Sequence, residues 1–304
     1  MRIKTCISGL VVGISMAAGI AHADELTLPY KGLTLNANLE LAPGKTPADG
    51  VILITHAGLA HRGMELYVYL QKLFKERGYN TLAINLSLGL NNRHGMYDCQ
   101  VTHRHRYTDA ADEIGAWVDW LQKQGVKHVV LLGHSRGGAE TALYAVEQDN
   151  PLVQAVVLLA PDTRETNDAA AYQKSYKKPL APLLEKAQKL VKEGQGGTVL
   201  EHIDLLYCPD TSVTADTFVS YDGPDPRLDT AYLIPKIRKP TLVVIAGSDE
   251  VVVNDQKFAP LADGKRVQIK VIEGAGHFFR DLNADDAVDA INAINAFLKG
   301  VGYY

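Results

Sequence analysis

The chain has 304 residues, of which 46% are hydrophobic, and its formal net charge is −4. This length and apolar content indicate a globular protein that forms either one large α/β domain or two small ones. The acidic balance argues against nucleic acid as a partner.

The first 23 residues, MRIKTCISGLVVGISMAAGIAHA, predict a secretory signal peptide. Arg2 and Lys4 precede an apolar run that ends in an A-H-A cleavage site at Ala23. A membrane anchor is the alternative, which the short run and its small residues disfavour. No later stretch is long and apolar enough to span a bilayer, so we expect residues 24–304 to form a soluble, exported protein, periplasmic or secreted.

Apolar runs typical of buried strands alternate with amphipathic runs typical of helices along most of the remaining chain. After a hairpin at residues 26–41, the predicted strands are 50–58, 80–88, 128–135, 153–162, 240–250 and 267–277. The predicted helices are 64–79, 107–125, 137–148, 255–262 and 284–299. Because this alternation requires crossover connections, it predicts an α/β fold with a mostly parallel, doubly wound sheet.

Residues 163–239 interrupt the alternation. They contain polar helical stretches such as APLLEKAQKLVKEGQ, followed by CPDTSVTADTFVSYDGPDPRLD, which has no clear period. We interpret this segment as a helical cap inserted between two core strands, above the ligand-binding edge of the sheet. A second independent domain is the alternative, disfavoured because the segment has no core pattern of its own.

The stretch VVLLGHSRGGAE, residues 129–140, places Ser135 between a predicted strand and a predicted helix. Its pattern, G-x-S-x-G from Gly133 to Gly137, allows the backbone to turn sharply enough to push a strained serine out of the sheet. We therefore predict that Ser135 is a nucleophile. The alternative is an ordinary glycine-rich turn.

A serine hydroxyl is a weak nucleophile and needs a base, which in turn needs an acid to orient it. The stretch VIEGAGHFFRD places His277 just after the last predicted strand, and AGSDE places Asp249 after another. Glu250 is the alternative acid. Asp249 is favoured because the apolar residues after Glu250 fit the usual Asp-x-apolar-apolar spacing.

The order Ser135, Asp249, His277 resembles that of the α/β-hydrolase superfamily, and the resemblance covers nearly the whole mature chain. It rests on GHSRGG, AGSDE and GAGH, each at the end of its expected strand. The resemblance implies a serine hydrolase that transfers an acyl group to serine and then to water, without metal or organic cofactor. A small-molecule carboxylic ester is the expected substrate. A peptidase, an amidase, a C–C bond hydrolase and a non-catalytic binding protein of the same fold remain alternatives.

The resemblance also implies an oxyanion hole made of two backbone N–H groups. One would come from Arg136, which follows the nucleophile. The other would come from the segment HAGL, residues 56–59, which resembles the H-G-x loop of the family with Ala57 in place of the usual glycine. This departure leaves Gly58 and Leu59 as candidates for the second donor, and an ordinary strand-to-helix turn as the alternative.

Residues 91–107, NNRHGMYDCQVTHRHRY, concentrate basic side chains in an otherwise acidic chain; we call them the basic loop. The favoured interpretation is structural, with arginines and histidines hydrogen-bonding the insertion. A second interpretation is a rim that selects an anionic ester, for which the candidates are Arg104, His105 and Arg106. A metal site formed by His94, Asp98, His103 and His105 is the least favoured, because H-x-H is a weak signal without a firm ligand set.

Two cysteines, Cys99 and Cys208, remain after removal of the signal peptide. In an oxidising compartment such a pair is predicted to form a disulfide, here joining the basic loop to the insertion. An intermolecular bridge and two free thiols are the alternatives.

Overall fold

An eight-stranded, mostly parallel sheet forms the centre of the molecule in the computed structural model, which describes residues 24–252, 255–280 and 285–303. Its strands are β1 (Asp24–Tyr30), β2 (Leu33–Glu40), β3 (Val51–Thr55), β4 (Thr81–Asn85), β5 (Val129–His134), β6 (Val153–Leu159), β9 (Thr241–Ala246) and β10 (Val267–Ile272). Their spatial order is β1-β2-β4-β3-β5-β6-β9-β10. Only the β1–β2 and β2–β4 pairs are antiparallel, so the predicted sheet is confirmed.

Helices cover both faces of this sheet. They are α1 (Glu65–Glu76), α2 (Tyr107–Lys123), α3 (Arg136–Gln148) and α8 (Asp285–Gly300). Successive side chains of a strand point to opposite faces, and along β3 Leu53 packs with α2 and α3 while Ile52 and Ile54 pack with α1 and α8. A strand covered on both sides must be apolar throughout, which is why the continuous runs predicted the central strands correctly.

The segment between β6 and β9 contains both helices and a β-hairpin. Its elements are α4 (Ala169–Tyr176), α5 (Leu180–Lys192), β7 (Val199–Leu205), β8 (Cys208–Thr214), α6 (Ala215–Asp222) and α7 (Thr230–Leu233). Strands β7 and β8 pair antiparallel and form a separate two-stranded sheet, so the insertion contains a hairpin that was not predicted, in addition to its helices. Phe218 of α6 is buried in the same apolar cluster as α2 and α3.

The prediction of a helix at about 255–262 was wrong. The chain forms two short 3₁₀ turns there, at Asp255–Lys257 and Ala259–Leu261. Pro260 lacks the backbone N–H that a continuing α-helix would use, which favours the interruption. The predicted signal peptide lies outside the described residues.

The basic loop is attached to the insertion by covalent and backbone links. Cys99 and Cys208 form the predicted disulfide, with their Cα atoms 5.3 Å apart. The His103 amide donates to the Ser212 carbonyl, and the Thr214 amide donates to the His103 carbonyl. Among the helices described, none combines the length and apolar character needed to cross a membrane.

Candidate active site

Ser135 lies at a sharp corner between β5 and α3, with φ +55° and ψ −125°. A non-glycine residue in such a conformation is strained and must be held by its surroundings. The Ser135 amide donates to the Leu159 carbonyl, and the Ser135 carbonyl accepts from the amides of Gly138, Ala139 and Asp162. These backbone bonds fix the serine at the carboxyl edge of the sheet.

The glycines of the motif are required by close backbone approaches. A Cβ atom on Gly133 would lie 2.3 Å from the Gly137 carbonyl oxygen, and one on Gly137 would lie 2.2 Å from the His56 carbonyl oxygen. Neither approach tolerates a side chain. The second also shows that the loop after β3, which contains residues 56–59, packs directly against the first turn of α3.

His277 connects Ser135 to Asp249. Its Nε2 lies 2.9 Å from Ser135 Oγ, and its Nδ1 lies 2.8 Å from Asp249 Oδ2. Asp249 Oδ1 accepts hydrogen bonds from the Val251 and Val252 amides at 2.7 and 2.9 Å. The side chains of His277 and Asp249 are only 5% and 3% exposed. The structure therefore brings the three predicted residues together in the geometry that nucleophilic catalysis requires.

The environment of Asp249 favours its ionised form. Burial alone would raise the pKa of this carboxyl, but hydrogen bonds from His277 and the two valine amides outweigh burial and lower the pKa below its usual value. Glu250 is exposed, and among the described residues the ion-pair partner of His277 is Asp249 rather than Glu250. The geometry thus favours Asp249 over Glu250 as the acid.

The amides expected to form an oxyanion hole differ in their availability. The Ala57 amide donates to Tyr67 Oη at 2.7 Å and is therefore occupied. The amides of Gly58, Leu59 and Arg136 donate no hydrogen bond to other described residues. Gly58 has a φ of +34°, a conformation that L side chains rarely adopt. Gly58 and Leu59 therefore both remain candidates for the second donor.

A hydrogen-bonded chain that the sequence analysis missed crosses the site behind the three catalytic candidates. Tyr67 Oη, which accepts from Ala57, lies 3.0 Å from His134 Nδ1. His134 Nε2 lies 2.9 Å from the His277 carbonyl oxygen. Because that oxygen can only accept, Nε2 carries the proton and Nδ1 accepts from the tyrosine. Burial, with the nearby His277, lowers the pKa of His134 to about 3, so the ring stays neutral.

The Arg93 side chain of the basic loop is buried and has a structural role. It is 5% exposed, and its guanidinium donates to the carbonyl groups of Leu86, Gly95 and Ala60 at 2.6–2.8 Å. It also lies 3.1 Å from His56 Nε2. These bonds join the basic loop to the loop after β3.

The three residues predicted to form an anionic rim occupy different environments. His105 is buried and lies 2.8 Å from Tyr221 Oη of the insertion. Arg106 pairs with Asp216 of the insertion at 2.6 Å, while Arg104 is exposed. These positions fit the structural interpretation of the basic loop, and the substrate role stays a prediction.

Arg136, whose side chain the sequence analysis did not consider, borders a cavity. This cavity, of about 190 Å³, lies between the start of α3 and the insertion.

The metal alternative finds no support in the residues that the structure describes, where no three His, Cys, Asp or Glu side chains are arranged to hold an ion.

A mostly parallel sheet with serine, histidine and aspartate at its carboxyl edge is the arrangement of the α/β hydrolases. The model of the alpha/beta hydrolase family matches residues 41–294, and the chain belongs to this family.

Individual proteins show more distant similarity. Phospholipase YtpA of Bacillus subtilis (strain 168) is 27% identical over 111 residues, which cover 36% of this chain and 40% of that protein. Est1E from Butyrivibrio proteoclasticus is 18% identical, with a TM-score of 0.63 over 91% of this chain and 98% of its own. The alpha/beta hydrolase GrgF from Penicillium sp. sh18 is 15% identical, with a TM-score of 0.65 over 93% and 100% of the two chains. At these identities the two solved structures support the fold alone.

Proposed function

We propose that the protein is an exported serine hydrolase that cleaves a carboxylic ester through an acyl-enzyme intermediate. The observation that carries this proposal is the continuous chain of contacts from Ser135 Oγ through His277 to Asp249. Each group has the partner that its role requires: a base for the hydroxyl and a carboxylate for the base.

In the proposed reaction, Ser135 Oγ attacks the ester carbonyl carbon while His277 Nε2 takes the hydroxyl proton. Asp249 holds the imidazole by its Nδ1–H and stabilises the positive charge that forms on it. The tetrahedral intermediate then breaks its bond to the alcohol oxygen, which leaves with the proton from Nε2. Water, activated by the same nitrogen, attacks the acyl-serine and releases the acid.

The negative oxygen of the intermediate needs donors that are free before the substrate arrives. The Arg136 amide, at the first position of α3, meets this requirement and adds the favourable field of a helix N-terminus. The second donor would be Gly58 or Leu59, since Ala57 is bound to Tyr67. The approach of Gly137 to His56 supports the placement of both donors around one point.

Export is supported by the signal-peptide pattern and by the disulfide, because structural disulfides persist in oxidising compartments. Fractionation of expressing cells, with N-terminal sequencing of the purified protein, tests this part. We expect a mature chain that starts at Asp24. A cytoplasmic protein that keeps residues 1–23 would contradict it.

Covalent labelling by a fluorophosphonate, together with hydrolysis of nitrophenyl esters of different chain lengths, tests the enzymatic proposal. We expect labelling at Ser135 and the loss of both label and turnover in Ser135→Ala. Ser212→Ala is the matched control, because its hydroxyl lies on β8 and bonds to Glu201. A Ser135→Ala protein that keeps wild-type ester cleavage would contradict the mechanism. Labelling without ester turnover, combined with cleavage of an amide panel, would favour an amidase or peptidase.

A further inference from the structure

The candidate oxyanion donors Gly58 and Leu59 lie in a segment of turns between β3 and α1. We call residues 56–60 the donor loop. The amides of Gly58 and Leu59 donate no hydrogen bond to other described residues, so they do not hold the loop in place themselves. An oxyanion donor must be aimed before the substrate arrives, because a misplacement of about 1 Å can cost about 100-fold in rate. The position of the donor loop therefore depends on contacts from outside it.

Arg93 of the basic loop holds the donor loop at both of its ends. A single nitrogen of the guanidinium, Nη2, donates to the Ala60 carbonyl at 2.8 Å and lies 3.1 Å from His56 Nε2. His56 and Ala60 are the first and last residues of the donor loop, and both candidate donors lie between them. One side chain thus determines how far apart the two ends of the donor loop lie.

The other bonds of Arg93 attach it to the end of β4. Its Nε donates to the carbonyl of Leu86, the residue directly after β4, at 2.8 Å. Asn85, the last residue of β4, donates from its Nδ2 to the Arg93 carbonyl. Arg93 is 5% exposed, and the donors of a guanidinium have a fixed planar arrangement. The side chain therefore connects the donor loop rigidly to a central strand of the sheet.

The ring of His56 is a neutral acceptor for Arg93. The Leu86 amide, which can only donate, lies 3.0 Å from His56 Nε2, so Nε2 accepts and Nδ1 carries the proton toward the Ala57 carbonyl, 3.2 Å away. Burial, together with the charge of Arg93, lowers the pKa of His56 well below its usual value. Burial also lowers the pKa of Arg93, to about 10, which leaves the guanidinium protonated at neutral pH. A charged donor thus faces a buried neutral acceptor.

The donor loop also contacts the helix that supplies the other candidate donor. A Cβ atom on Gly137 would lie 2.2 Å from the His56 carbonyl oxygen, so the donor loop packs against the first turn of α3. Gly137 directly follows Arg136, whose amide is the first candidate donor. Because Arg93 fixes the donor loop where it meets α3, a loop released from Arg93 would change the spacing between the two donors.

We infer that Arg93 is a positioning residue for the oxyanion hole, which its guanidinium serves by fixing the donor loop on β4, next to the start of α3. It acts through the backbone of the donor loop, and the inference rests on the proposed function.

Replacement of Arg93 in the full chain tests this role. Arg93→Met removes the guanidinium and keeps much of the side-chain volume. We expect kcat for a small nitrophenyl ester to fall about 10- to 100-fold, because the donors act most strongly on the transition state, with KM changed less than about twofold. Arg93→Lys keeps the charge without the planar set of donors and should give an intermediate kcat. A wild-type kcat in Arg93→Met, or a change confined to KM, would overturn the inference.

Arg62→Met is the matched control. Arg62 Nε donates to Asn36 Oδ1 at 3.0 Å, and its Nη2 pairs with Glu25, so this side chain is bonded to β1 and β2. We expect both variants to lose stability in urea, while Arg62→Met keeps the wild-type kcat. An equal fall of kcat in both variants would indicate a general loss of structure and overturn the inference. If Arg93→Met fails to fold, Arg93→Lys decides, and a wild-type kcat in that variant would overturn it.

The rate of labelling by a fluorophosphonate separates this inference from the proposed function. Attack of Ser135 on phosphorus also places a negative oxygen before the donors, and it needs no ester turnover. Labelling that slows about 10- to 100-fold in Arg93→Met would support the inference even if the wild type hydrolyses no ester, a result that would reject the esterase proposal. Ester hydrolysis by the wild type, with equal labelling rates in the two proteins, would reject the inference and keep the proposed function.

Discussion

The hydrogen-bonded chain from Ala57 through Tyr67 and His134 to His277 gives a direct prediction for Tyr67→Phe. The exchange keeps the ring and its packing and removes one oxygen. That oxygen accepts from the Ala57 amide at 2.7 Å and lies 3.0 Å from His134 Nδ1. Tyr67 and His134 are 1% and 0% exposed, so water cannot readily replace it.

The expected loss of stability follows from the two groups left without a partner. A buried donor or acceptor that loses its hydrogen bond costs about 1–3 kcal/mol. The Ala57 amide lies in a half-buried loop that can adjust, whereas His134 Nδ1 cannot. We therefore expect the free energy of unfolding to fall by about 2–4 kcal/mol, measured by urea denaturation.

The exchange should also lower the catalytic rate, because it removes contacts that position the site. Without the bond from the Ala57 amide to Tyr67, the loop that contains the candidate oxyanion donors is less firmly held. Without the bond to Tyr67, His134 no longer fixes the carbonyl of His277. We expect kcat for a small nitrophenyl ester to fall about 10- to 30-fold, equivalent to roughly 1.4–2 kcal/mol of transition-state stabilisation, with KM little changed. Tyr69→Phe, two residues further along α1 and partly buried, is the matched control. Wild-type stability and kcat in Tyr67→Phe would refute a positioning role for this chain.

Three further predictions concern the acid, the buried carboxyls and the disulfide. Asp249→Asn should lower kcat by several orders of magnitude while Glu250→Gln changes it less than about twofold, and steady-state kinetics that give the reverse would transfer the role to Glu250. Burial raises the pKa of Glu140 to about 8; because the folded state then holds its proton more tightly than the unfolded state, the free energy of unfolding should fall as pH rises from about 5 to 8. Denaturation curves of Glu140→Gln should lose part of this slope, and an unchanged slope would contradict the assignment. Reduction of Cys99–Cys208, which closes a loop over a sequence separation of 109, should cost up to about 4 kcal/mol of stability, visible as a lower Tm; rapid alkylation of both thiols without prior reduction would contradict the bridge.

The sequence was most informative where one local pattern determines both an element and its function. The apolar run of β5 and the glycines around Ser135 encode a buried strand and a sharp corner, and both were predicted. The hairpin β7–β8 was missed because its strands contain Pro209, Asp204 and other polar residues without a regular period. Its pairing is supported by long-range links to the basic loop, which no local pattern reveals.

In the candidate site too, some residues were predictable from the sequence pattern and others depend on tertiary contacts. Ser135, Asp249 and His277 each follow a strand, and parallel strands bring their carboxyl ends to one edge, so topology alone predicted their meeting. Tyr67 lies on α1 and reaches the site only through a tertiary contact. The position of the Arg136 guanidinium was not predicted, because it depends on tertiary contacts with Asn167 and Asp162 that the local motif does not encode.

The role of the basic loop follows from how it is joined to the insertion. Its disulfide and the backbone bonds of His103 secure the hairpin whose tip borders the cavity. His105, which is buried, contacts Tyr221, and the ring of Tyr221 lies 5.7 Å from the guanidinium of Arg136. Burial lowers the pKa of His105 to about 3, so this histidine acts as a neutral packing and hydrogen-bonding group. The loop therefore holds in place walls of the cavity that Arg136 borders.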